Sequence, residues 1–71
     1  MVGMTTKTYA VTGMTCSHCV SAVDSEVRLI PGVTDVTVDL ASGAVTVTSD
    51  RPVDDDAVAA AVDEAGYAVA G

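Results

Sequence analysis

"VTDVTVDLASGAVTVTS", Val33 to Ser49, is the stretch on which the fold turns. In its first half Val36, Val38 and Leu40 alternate with Asp35, Thr37 and Asp39. In its second half Val45 and Val47 alternate with Thr46 and Thr48. A period of two puts the apolar side chains of each run on one face, as in a half-buried strand. "ASG", Ala41 to Gly43, is short and turn-forming. The stretch therefore predicts a β-hairpin.

Helical signals stand on both sides of it. Before it, within the run from Ser17 to Leu29 and just beyond, Val20, Val23, Val27 and Ile30 follow one another at helical spacing, and Pro31-Gly32 stops the run. After it, beyond Arg51-Pro52, Asp54 is placed to cap a second helix, and Asp55 and Asp56 suit the positive end of its dipole. Val58, Val62 and Ala65 form the buried stripe of that helix, and Gly66 ends it. Outside the helices lie Lys7 to Thr12, with Tyr9 and Val11 on one face, and a short last run from Tyr67 to Ala70. The order is strand, helix, strand, strand, helix, strand. That is an α+β, ferredoxin-like split βαβ pattern: a four-stranded antiparallel sheet with both helices on one face and a threonine-rich face toward water. Residues 1–71 are expected to form one domain, with no linker or repeat.

Composition narrows the function. The apolar residues are mostly valine and alanine, with no Phe or Trp, so the core is thin and a large substrate pocket is not expected. Ten acidic residues stand against Lys7, Arg28 and Arg51, for a net charge of −7. Such a chain repels phosphate backbones, so no nucleic-acid partner is expected. The longest apolar run, Ala57 to Val62, is too short for direct membrane insertion. "MVGMTTK" contains no apolar signal region, and Met1 and Met4 are expected in a frayed terminus. The expected location is the cytoplasm, where two cysteines make a working thiol pair rather than a structural disulfide.

Both cysteines and the one histidine fall in "GMTCSHC", Gly13 to Cys19. The motif bridges the end of the first strand and the first turn of the first helix. Unpaired N–H groups and the positive dipole end stabilise thiolates there. Cys16 and Cys19 are thus expected to form a small, exposed, two-thiolate claw. A structural zinc site wants four protein ligands and an iron–sulfur cluster four cysteines; one loop with at most three donors supplies neither unless, for zinc, a carboxylate or a second chain completes the set. Cu(I) is soft, is selected by thiolates and tolerates low coordination, so two thiolates suffice and leave it open to an incoming ligand.

"GMTCSHC" resembles the GMxCxxC signature of the heavy-metal-associated domain family, and within it the bacterial-type copper chaperones. "PGV" at Pro31 to Val33 and "EAGY" at Glu64 to Tyr67 extend the resemblance over nearly the whole chain. It implies a soluble, non-enzymatic carrier of one Cu(I) per monomer, held by Cys16 and Cys19. Delivery would be by thiolate exchange to the soluble metal-binding domain of a copper-transporting ATPase. It implies that Met14 is a buried plug beneath the loop and that Tyr67 lies close to the site. Thr15, where zinc- or cadmium-handling relatives tend to carry an acid, favours copper, and mercury-carrying relatives are typically exported. The apo chain is expected to be monomeric, and a copper-bridged pair of chains stays open.

Two other readings stand beside this one. The chain resembles equally the isolated metal-binding domain of such an ATPase, although its first methionine and its end after the last strand favour a separate protein. A CxxC at a helix start also fits a thiol–disulfide oxidoreductase. Against that stand Thr15 before Cys16, the absence of Trp and two prolines in loops. His18 is read as an exposed imidazole that tunes the thiols rather than as a third ligand. Tyr67 is either core edge or a hydroxyl directed toward a thiolate.

Overall fold

The structure, a computed structural model, describes residues 4–70. The expectation for Met1 lies outside them. Six elements follow in the expected order: β1 (Thr5–Thr12), α1 (Ser17–Arg28), β2 (Val33–Asp39), β3 (Ala44–Ser49), α2 (Asp55–Glu64) and β4 (Ala68–Ala70). The sheet order is β2-β3-β1-β4, antiparallel throughout. Thus β1 lies in the centre, and the hairpin β2–β3 closes one side through pairs such as Val36 with Val47 and Val38 with Val45.

The alternation of each strand decides what is buried. Val45, Val47 and Val36 turn inward to meet Val23 and Val27 of α1 and Val58 and Val62 of α2. Val23, Val27, Val45, Val58 and Val62 are wholly inaccessible to solvent. Each buried valine contributes about 1.5–3 kcal/mol from removing its apolar surface from water. The other face shows Thr6, Thr8, Thr37 and Thr46, with the hydroxyls of Thr8 and Thr46 3.2 Å apart across the strands. Helix α2 starts as expected: Asp54 has extended backbone, and its carboxylate accepts the Asp56 N–H at 3.1 Å. Asp55, in the next position, accepts from Lys7 Nζ at 2.9 Å and from Tyr9 Oη at 2.8 Å, which fastens the start of α2 to β1.

Four expectations need correction. Leu40 does not share the buried face of β2: it is 40% exposed, because the strand ends at Asp39. There the Asp39 carboxylate and carbonyl accept the N–H groups of Ala41 and Gly43 and turn the chain away. Val20 is half-buried and stands outside the core cluster, in the first turn of α1 at its thiol end. Leu29 lies past the end of α1 as its cap and is 75% exposed. Tyr67 precedes β4 rather than opening it; its N–H closes onto Val62 O at 3.1 Å.

Candidate metal centre

The end of β1 and the start of α1 lie at the same pole of the domain. Gly13, at φ +94°, turns the chain out of the strand. Cys16 then takes an extended conformation as the N-terminal cap of α1, and its carbonyl accepts the N–H of Cys19 at 3.0 Å and of Val20 at 3.3 Å. Its side chain makes no capping bond, so the thiol is left to face Cys19. The two sulfurs are 3.4 Å apart. At that spacing both sulfurs can face a single ion.

The two thiols differ in access. Cys16 is exposed and Cys19 is buried, so the claw is open on one side only. This corrects the expectation of a fully exposed pair. Tyr67, in the loop between α2 and β4, stands at the same pole, its ring against Gly13. Besides Cys16, the Cys19 sulfur has the Thr15 hydroxyl at 4.0 Å.

The Cys19 thiol is lowered from its ordinary value to about 6. The first cause is hydrogen bonding to the Tyr67 hydroxyl, then the backbone of Thr15, then the Cys16 side chain, with burial opposing all of these. The amide-rich helix start therefore contributes as expected, but an aromatic residue from the far end of the chain contributes more. The same interaction raises the Tyr67 hydroxyl above its ordinary value. No guanidinium or ammonium group takes part. Lys7 pairs with Asp55, Arg28 with Asp24 and Asp35, and Arg51 with Asp50. Arg28 closes the last turn of α1 and Arg51 follows β3, both remote from the thiols. Among the described residues, the thiol end thus offers no fixed cation to repel a metal ion.

Met14, expected as a buried plug, is half-buried and packs on the core cluster. His18 is exposed, and no group of three His, Cys, Asp or Glu side chains among the described residues is arranged to hold a metal. Two sulfurs, with no third such donor among the described residues, are what the geometry brings together here. Two residues of the site were not singled out for the part they play. The Thr15 hydroxyl lies beside Cys19, and Gly13 carries the Tyr67 ring: a Cβ there would stand 3.2 Å from Tyr67 Cδ1.

A split βαβ domain with a dithiol at its first strand–helix junction defines a class of small metal-binding domains. The chain belongs to the heavy-metal-associated domain family, whose pattern matches residues 8–68. It is 43% identical over 68 residues to the copper chaperone CopZ of Bacillus subtilis, covering 94% of this chain and 99% of that one. It is 46% identical over 61 residues to copper-transporting ATPase 1 of Rhizobium meliloti, covering 86% of this chain but only 7% of the ATPase. Among solved structures, a CopZ metallochaperone superposes with a TM-score of 0.86 at 37% identity, covering 93% of this chain and all of the other. No helix among the described residues is long and apolar enough to cross a membrane.

Proposed function

We propose that the protein is a Cu(I) metallochaperone that carries one ion between Cys16 and Cys19 and passes it to the soluble metal-binding domain of a copper-transporting ATPase. The observation that carries the reading is the pair of sulfurs at 3.4 Å with no third ligand beside them among the described residues. Two thiolates suit a soft, low-coordinate ion and leave it accessible. Match over nearly the full length of a CopZ chaperone supports a separate carrier. The work is ligand exchange in the cytoplasm, not catalysis. A partner thiolate forms a bond to copper, one donor thiolate then leaves, and each bond formed is matched by one broken. Met14 supports the loop, His18 tunes the thiols from outside, and Tyr67 stands at the Cys19 side.

A second reading has its own support. The higher identity to an ATPase segment favours a metal-binding domain of such a transporter, with the same fold and thiols. Anaerobic Cu(I) titration against a strong chromophoric competitor, with Zn(II) in parallel, tests the shared claim. Tight uptake of one Cu(I) and weak uptake of zinc are expected. Absence of tight copper binding would leave a thiol–disulfide oxidoreductase as the better reading.

A further inference from the structure

The ladder between β1 and β4 pairs Ala10 with Ala70, Val11 with Val69 and Thr12 with Ala68. Continued one step, this register sets Gly13 opposite Tyr67. The pairing ends there as hydrogen bonding but persists as packing, because the Tyr67 ring lies against the bare α-carbon of Gly13. A Cβ on Gly13 would come within 3.2 Å of Tyr67 Cδ1 and 3.8 Å of Cε1, the first inside normal carbon–carbon contact. Large side chains do cover glycine across strands in this way, and the pair fixes where the ring lies. The backbone holds the same geometry from the other side: Thr12 Oγ1 donates to Ala68 O at 3.3 Å, and Tyr67 N–H donates to Val62 O at 3.1 Å.

We propose that Gly13 is a positioning residue for metal exchange: its missing side chain seats the Tyr67 ring over Cys19 and leaves Cys16 as the single open approach to the thiol pair. This rests on the reading of the pair as an exchanging metal site. The asymmetry is already present in the apo protein, where Cys16 is exposed and Cys19 is not. A partner thiolate then meets the ion from the Cys16 side, and the sulfur held beneath Tyr67 stays bonded longest. Glycine at position 13 thus has a steric task beyond its positive φ.

Gly66 separates the two tasks. It has φ +93°, nearly that of Gly13, yet a Cβ there meets nothing within 4 Å. Gly66→Ala therefore carries the backbone strain without an obstructed ring, whereas Gly13→Ala carries both. The test is competitive alkylation of the reduced apo protein by iodoacetamide at about pH 10, where an ordinary thiol is ionised and labelling reports access. Mass spectrometry reads the Cys19-to-Cys16 ratio. The wild type should label mostly at Cys16. Tyr67→Ala and Gly13→Ala should each raise the ratio several-fold, and the double variant should match Tyr67→Ala alone, because the ring that Gly13 seats is gone. Gly66→Ala, checked for folding by circular dichroism, should keep the wild-type ratio. A folded Gly13→Ala with the wild-type ratio, a Gly66→Ala that raises the ratio as far as Gly13→Ala does, or effects of Gly13→Ala and Tyr67→Ala that add would overturn the proposal. Because no copper is present, these results bear on the seat alone and not on whether the protein handles copper.

Discussion

The hydroxyl of Tyr67 is the first cause of the acidity of Cys19, ahead of the Thr15 backbone and the Cys16 side chain. Tyr67→Phe should therefore raise the Cys19 thiol from about 6 toward its ordinary 9.0, read as ultraviolet thiolate absorbance against pH. The sign for stability follows. A folded-state value below the unfolded one stabilises the fold above the unfolded value and is lost as pH falls through the folded one. Apo wild type should lose stability between about pH 9 and 6, and the loss should be smaller in Tyr67→Phe. An unchanged thiol titration in the variant would remove Tyr67 from this role.

Much of the fold was legible because period-two and helical runs alternate cleanly in a valine-rich chain. The hairpin, both helices, the Asp54 cap and the Cys16–Cys19 junction all follow from local pattern. The errors share a cause. Leu40 continues the alternation of β2, but a turn held by Asp39 ends the strand first, and alternation carries no information about where the ladder stops. The burial of Cys19 was not legible either, because a local motif carries no information about which distant segments pack beside it.

Loss of either thiol should abolish useful binding. Cys16→Ser and Cys19→Ser should each weaken Cu(I) by more than about a hundredfold, beyond what loss of an outer hydrogen-bonding partner costs a metal site. Competition titration against a chromophoric chelator measures this. A serine variant with wild-type affinity would rule out the two-thiolate site.

Exposure of His18 leads to a milder outcome. His18→Ala should retain Cu(I) affinity within about tenfold, the low end of an outer-ligand effect. Its pH dependence should shift, since the thiols must lose their protons to bind. A loss as large as that of the cysteine variants would make the imidazole a ligand.

Folding should not require metal, since the valine core is complete without it. Apo protein should show native circular dichroism. Copper at a hundredfold over its dissociation constant should add about 2.7 kcal/mol and raise Tm by roughly 10–20 °C. Val27→Ala, at a wholly buried position, should cost about 2 kcal/mol in apo and loaded protein alike. That is about half of what so small a domain holds, so the variant should melt far earlier in urea. An apo chain without secondary structure would mean that metal, not valine packing, builds the fold.

Exchange with a partner puts these features to use. Among the described residues the thiol end carries no Lys or Arg, and next to the cysteines α1 shows solvent small polar groups, Ser17 and Ser21. A partner can therefore approach over α1 toward the open Cys16 without meeting a fixed cation. A net charge of −7 makes the encounter depend on a locally complementary, basic surface, so binding should be weak and should fall as salt rises. In an NMR titration against a copper ATPase's metal-binding domain, shifts should centre on residues 13–20 and on Tyr67, and should be larger with Cu(I) than without. Cys16, exposed in the loop, should be the first donor to leave, while Cys19, within α1 and covered, holds the ion until the second partner thiolate arrives. A dialysis membrane between the two proteins decides the mechanism. Direct exchange requires contact, so transfer should slow to the rate at which free copper escapes. An unchanged rate across the membrane would mean that copper travels unaccompanied.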